Sequence, residues 1–143
     1  MNVEIVGSSI EVDESLVAEP VDEIRSQVAD YASGDRRTFD LTVAFPDGTT
    51  GDVMRAMCEI PYGETRSYGE LAAELETAPV AVGGACGRNP VPVIVPCHRV
   101  VGSDGGLRGY SGADGVRTKR RLLDLEASTR GTRPVQSRLS SEW

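Results

Sequence analysis

No stretch of the 143-residue chain holds the roughly eighteen consecutive apolar residues that cross a bilayer. Its acidic beginning, with Glu4, Glu11, Asp13 and Glu14, lacks the basic start of a secretion signal. Neither a membrane partner nor secretion is expected, and the expected location is cytoplasmic. Cysteine is scarce: Cys58, Cys86 and Cys97 are odd in number and irregular in spacing, which fits free thiols in a reducing compartment better than a disulfide framework. Histidine is scarcer still. His98 stands alone beside Cys97, and no CxxC or HxxxH pair accompanies it, so no metal site is expected.

Positive charge is also short. A formal net charge of −7 disfavours phosphate-rich partners, whose binding is driven by Lys and Arg releasing counterions. Its distribution answers part of that objection, because residues 1–86 hold 5 Arg against 17 Asp and Glu, whereas residues 87–143 hold 10 Lys and Arg against 5 acids. Lys119 is the one lysine among the 15 basic residues; with so many acids, this bias points to a high-salt cytoplasm and describes habitat rather than function. Hydrophobic content of 39% and charged content of 26% belong to a folded chain rather than a disordered one. The length is that of one main domain with at most a small N-terminal appendage.

What is present is a series of short elements. Val3 and Ile5 predict a short strand within residues 1–12. Glu19-Pro20 predicts a helix with proline in its first turn, Val21, Ile24, Val28 and Tyr31 on its apolar face, and Gly34 as its C-cap. Phe39, Leu41, Val43 and Phe45 alternate strictly up to the turn signal Pro46-Asp47-Gly48 and predict a half-buried strand. Asp52 is the expected cap of a helix from Val53 to about Glu59, ended by Pro61-Tyr62-Gly63. Ser67 and Glu70 have capping-box spacing ahead of Leu71, Ala72 and Leu75, and a small-residue segment runs from Pro79 to about Cys86. Short helices in tandem with a tight connection point to a helix-turn-helix. Three prolines in Pro90-Val91-Pro92-Val93-Ile94-Val95-Pro96 exclude a helix and a central strand, leaving an extended, rigid, buried segment. A glycine-rich loop over 102–115 carries Tyr110 and Ser111, a helix follows from Val116 to about Glu126, and the polar residues after Ala127 read as a loose tail.

Cys97 is the candidate nucleophile. It lies between the rigid segment and His98 in a region containing Arg88 and Arg99, and a neighbouring base or cation lowers a thiol's pKa from about 8.5 toward the thiolate. Nucleophilic cysteine needs that activation and a third group to orient the base. Taken alone, a Cys-His dipeptide is more often a small buried thiol beside a core histidine.

The surrounding residues decide between those readings. Pro96-Cys97-His98-Arg99-Val100-Val101 closely resembles the active-site signature of the O6-alkylguanine-DNA alkyltransferases. The likeness continues through Ile60-Pro61-Tyr62-Gly63-Glu64-Thr65, Ser67-Tyr68-Gly69-Glu70-Leu71-Ala72, Ala81-Val82-Gly83-Gly84-Ala85 and Arg88-Asn89-Pro90-Val91-Pro92. It resumes at Gly109-Tyr110-Ser111-Gly112 and from Lys119 to Glu126, so that about half the chain is covered in the family's order.

The resemblance implies an α+β fold: a small N-terminal αβ part over residues 1–48, a mostly helical alkyltransferase and DNA-binding domain with a helix-turn-helix over 49–127, and a polar tail over 128–143. It implies stoichiometric DNA repair in which Cys97 takes the alkyl group from O6-alkylguanine and keeps it, once per molecule, with no cofactor. His98 would take the thiol proton through a water, Glu126 would hold His98, and Asn89 would brace the turn before Cys97. Tyr68 would meet the phosphate of the flipped nucleotide. Tyr110 and Ser111, with Pro96 and Val100, would line the guanine pocket. Ala81 and Gly83 are small enough for close approach to the backbone in the minor groove, and Arg88 supplies charge there. The partner would be double-stranded DNA, bound by a monomer, with the target base flipped out of the stack.

One departure concerns DNA handling. The family's arginine, which enters the duplex in place of the flipped base, aligns with Val80, and a short apolar wedge unstacks bases without hydrogen-bonding the orphaned partner. Weaker or slower flipping is therefore expected. An alternative is an alkyltransferase-like protein that binds alkylated guanine without repairing it, although such proteins usually replace the cysteine. A transcription regulator built on the helix-turn-helix is disfavoured by the lack of a sensor domain or second cysteine module.

Overall fold

The structure is a computed structural model that describes residues 1–102 and 115–131, with the side chains of 130 and 131 excluded. The N-terminal strand is half of an antiparallel hairpin, β1 (Asn2–Ile5) with β2 (Ser8–Glu11), in which Ile5 pairs with Ser8. Val6 and Gly7 make the two-residue turn at φ 47° and 79°, the double positive φ that matches the twist of tight hairpins. Val3, Ile5 and Ile10 face inward, and the Ser8 hydroxyl meets Thr118 Oγ1 at 2.9 Å.

Helix α1 (Val21–Ala32) buries Ile24, Val28 and Tyr31, and Gly34 follows it in the left-handed conformation. Pro20 is the N-cap rather than a first-turn residue, and Val21 is 37% exposed instead of buried with the rest of the apolar face. The segment from Phe39 to Phe45 has the expected alternation of half-buried and exposed residues but is not a strand. Its partner is the end of the 3-10 turn Glu14–Leu16, reached by the single bridge Val17–Val43 and the bonds Ala18 N to Thr42 O and Ala44 N to Leu16 O. A ladder needs a longer extended neighbour than that turn provides.

Helix α2 (Thr49–Cys58) starts before the expected Asp52 cap, which lies in its first turn. Gly48, at φ 86°, is the N-cap, and the helix packs so close to the preceding turn that a Cβ on Gly51 would fall 1.8 Å from the Pro46 carbonyl oxygen. The capping box at Ser67 and Glu70 forms as the spacing predicts and starts α3 (Tyr68–Glu74). Four residues, with Glu76 at φ 56°, lead into α4 (Pro79–Gly87), giving the helix-turn-helix. The two-residue strands β3 (Arg66–Ser67) and β4 (Val100–Val101) pair in parallel, tying the start of α3 to the chain just after Cys97.

The Pro90–Pro96 segment is buried but not extended. It folds back through Val93, at φ 75°, so that Pro92 bridges Val95 and Val95 N donates to Val91 O at 3.0 Å. Proline forbids regular hydrogen-bonded structure here but permits such a turn. Helix α5 (Val116–Gly131) runs past the expected end at Glu126, so the first residues assigned to the tail are helical. Residues 132–143 lie outside the described part. One apolar cluster joins Ile10, Ile24, Met57, Leu71, Val95 and Leu122, drawing the N-terminal elements into the same core as the C-terminal helices.

Candidate active site

Asn89 ends the fold-back. Its side chain donates from Nδ2 to Val95 O at 2.9 Å and accepts from Val91 N at 3.1 Å. The chain then enters a 3-10 turn, Cys97–Arg99, with Cys97 N bonded to Val95 O and Arg99 N to Pro96 O. All three residues of the turn are buried, and Cys97 is 1% exposed.

His98 and Arg99 both reach Glu126 of α5. His98 Nε2 is 2.7 Å from Glu126 Oε2; Arg99 donates from Nε to Oε1 at 3.0 Å and from Nη2 to Oε2 at 2.9 Å. Gly63 N donates to Oε1 at 2.9 Å, and Tyr31 Oη donates to Oε2 at 2.6 Å. Arg99 Nη1 is satisfied by the Ile60 carbonyl at 2.7 Å. Burial alone would push the Glu126 carboxyl up, but hydrogen bonds from His98 and Arg99, with the positive charge of Arg99, outweigh it and hold the carboxyl well below the usual range. Burial pushes His98 down, against the pull of Glu126, with Arg99 and Lys119 adding to the fall. The imidazole is therefore neutral and carries its proton on Nε2, facing the carboxylate. Its Nδ1 accepts no hydrogen bond among the described residues and is the available base.

The expected lowering of the Cys97 pKa is not found. Burial raises it to about 11, against a hydrogen bond from Asn89 and the charge of Lys119. Neither arginine offsets that burial: Arg99 is occupied by Glu126 and Ile60 O, while Arg88 is exposed and contacts Thr50 Oγ1 at 3.4 Å. Lys119, buried on α5, donates from Nζ to Tyr68 Oη at 3.1 Å, joining the first residue of α3 to the surroundings of the thiol.

Cys97, His98, Asn89 and Glu126 thus share one buried cluster, with Pro96 and Val100 flanking the turn inside the core. Val80 is 82% exposed on the first turn of α4, with Ala81 and Gly83 half-buried beyond it. Tyr110 and Ser111 lie outside the described residues. Sequence pattern alone assigns no role to Tyr31 or Lys119, and to Arg99 only that of a cation beside the thiol, not that of a partner of Glu126. Arg99 lies inside the Pro96–Val101 signature, whereas in the sequence Tyr31 is only one apolar position of a helix. Among the described residues no group of three or more His, Cys, Asp or Glu could hold a metal ion.

Residues 49–128 match the family described as 6-O-methylguanine DNA methyltransferase, DNA binding domain. The chain is 48% identical over 108 residues to a methylated-DNA--protein-cysteine methyltransferase from Methanosarcina mazei, a match covering 73% of this chain and 66% of that protein. It is 43% identical over 119 residues to the inducible protein of that name from Bacillus subtilis, covering 78% and 65%. The chain thus spans just under two thirds of the length of these relatives. Among solved structures, a Mycobacterium tuberculosis O6-methylguanine methyltransferase superposes with a TM-score of 0.70 at 42% identity, covering 76% of this chain and 66% of that one. A structure of the same organism's OGT in complex with DNA aligns with the same score and identity.

Proposed function

Since the chain belongs to the 6-O-methylguanine DNA methyltransferase family, we propose that it repairs DNA by moving the alkyl group of O6-alkylguanine onto its own Cys97, once per molecule. The observation that carries this reading is the single turn in which Cys97 precedes a histidine already bonded to a buried carboxylate, His98 Nε2 to Glu126 Oε2 at 2.7 Å. A thiol held near pKa 11 is almost wholly protonated at neutral pH, so its proton must leave as the nucleophile is needed. His98 Nδ1 takes that proton through a water, and Glu126 stabilises the imidazolium that forms. The sulfur attacks the alkyl carbon, the carbon–O6 bond breaks with its electron pair passing to the guanine, which takes up a proton from water as it leaves, and the imidazolium returns the thiol's proton to water. Cys97 is left as a thioether, and no cofactor takes part.

The substrate is double-stranded DNA, approached by a monomer from the minor groove, with the nucleotide flipped toward Cys97. Tyr68 meets the flipped phosphate, Tyr110 and Ser111 bind the guanine, and Pro96 and Val100 shape the pocket. Exposed Val80 is the wedge at the front of α4, Ala81 and Gly83 admit the sugar-phosphate backbone, and Arg88, the C-cap of that helix, supplies positive charge at its far end. We place this alkyltransferase unit over residues 49–127 and the site of action in the cytoplasm. No helix among the described residues is long and apolar enough to cross a membrane.

The test is intact mass. Incubation with an O6-methylguanine duplex should add one methyl group that maps to Cys97 and is absent in Cys97→Ala. An unchanged mass at both low and high salt, with binding retained, would replace this reading with that of a non-repairing binder.

A further inference from the structure

Tyr31 belongs to α1, outside the residues 49–128 that match the family, yet it reaches the centre of the site. Its hydroxyl donates to Glu126 Oε2 at 2.6 Å and stands 3.4 Å from His98 Nε2, which bonds the same oxygen at 2.7 Å. The hydroxyl is held in place by its ring. Tyr31 is fully buried, 5.4 Å from the Phe39 ring and edge-on to Tyr62 at 6.1 Å, with burial and the adjacent carboxylate keeping the phenol firmly protonated.

We propose that Tyr31 is a positioning residue for alkyl transfer, and that by sharing Glu126 Oε2 with His98 it sets how readily His98 takes up the Cys97 proton. This rests on the reading of Cys97 and His98 given above. A donor on Oε2 withdraws electron density from that oxygen and weakens its bond to the imidazole, leaving the imidazole less basic. Glu126 already receives Arg99 and Gly63, so the carboxylate has charge compensation without Tyr31. What the phenol adds is a second donor, beside Arg99 Nη2, at the oxygen that faces His98. The N-terminal helix thereby tunes the relay of the C-terminal part.

Other groups facing His98 define the control. Glu126 and Lys119 act on it from α5 and Arg99 from its own turn, while Tyr62 acts on Tyr31 and Cys58 of α2 feels only the Arg99 charge and that of Glu59. None of them changes when only the Tyr31 hydroxyl is removed.

The chain has one histidine, so nitrogen-15 NMR of the imidazole reads His98 without assignment and without substrate. Tyr31→Phe should raise the pH at which the His98–Glu126 pair titrates by about one unit, and should move the acid limb of the transfer rate upward by the same amount. Placing 3,5-difluorotyrosine at position 31, which keeps the shape and strengthens the donor, should move both downward. Phe39→Leu, which loosens the ring packing without touching Glu126, should leave both in place. If neither change at position 31 moves the imidazole titration, or if Phe39→Leu moves it equally, Tyr31 is packing and the proposal falls. Should Tyr31→Phe fail to fold, the fluorinated protein decides alone. An imidazole that shifts as described in a protein that transfers no alkyl group would sink the functional reading and leave the tuning intact.

Discussion

Replacing Glu126 with Gln tests the centre of the site as a charge rather than as a shape. Five donor atoms converge on the carboxylate: Tyr31 Oη, His98 Nε2, Gly63 N, and Nε and Nη2 of Arg99. Gln is nearly isosteric, but its NH2 must replace one oxygen. Set toward Gly63 and Arg99 Nε, or toward Tyr31 and His98, it faces donors and loses at least two of those bonds. Arg99, 7% exposed, also becomes a buried cation without its counter-charge. Removing one partner of a buried pair costs about 3–5 kcal/mol. For a chain of this size that lowers Tm by roughly 10 °C at pH 7.

The pH dependence separates this account from loss of packing. A carboxyl held below its ordinary value of 4.5 in the folded state contributes stability that is fully present above 4.5 and fades as pH falls toward the lower folded value. Thermal unfolding followed by circular dichroism from pH 7 to pH 3 should therefore show the wild-type advantage constant down to about pH 5 and shrinking below it. The other acids titrate in both proteins and cancel in the difference. A Tm difference under about 3 °C at pH 7, or one that does not narrow on acidification, would show that Arg99 and His98 do not depend on the Glu126 charge.

Two further outcomes follow from the same geometry. Val80→Arg places a hydrogen-bonding side chain at an 82% exposed position, and single-turnover transfer from an O6-methylguanine duplex should speed up by about tenfold or bind DNA correspondingly tighter; no gain in either would remove the view that the short wedge limits flipping. At pH 7.5, iodoacetamide should label exposed Cys58 well before buried Cys97, whose reaction should climb as pH rises toward about 11; equal labelling rates in peptide maps would mean that the free protein already holds a thiolate.

What was legible in the sequence was set by local rules and by the signature. The capping box at Ser67 needs only its own spacing and forms where the sequence places it, whereas the C-cap of α1 is Ser33 and Gly34 takes the left-handed conformation one residue past it. The strand over Phe39 to Phe45 failed because alternation reports which side chains face inward and says nothing about whether a neighbouring strand exists. Asp52 lost the cap to Gly48 for a tertiary reason, the close approach of Gly51 to Pro46. The Cys97 expectation went wrong in a more informative way. Arg99 beside it in sequence implied a cation for the thiolate, but adjacent residues of a tight turn need not serve each other, and the guanidinium is occupied by Glu126 and Ile60 O.

Tyr31 marks the limit of reading by periodicity. Its place at the buried face of α1 follows from spacing, and a Phe there would satisfy the same pattern. The difference between the two is one hydroxyl, whose partner is 95 residues away on α5. A buried phenol requires an acceptor, because leaving it unpaired costs about 1–3 kcal/mol. A tyrosine at a fully buried helical position is thus already a statement that some acceptor lies across the core. Here the acceptor is the carboxylate that also binds His98, so the polar tip of a core residue links the N-terminal helix to the buried cluster around Cys97.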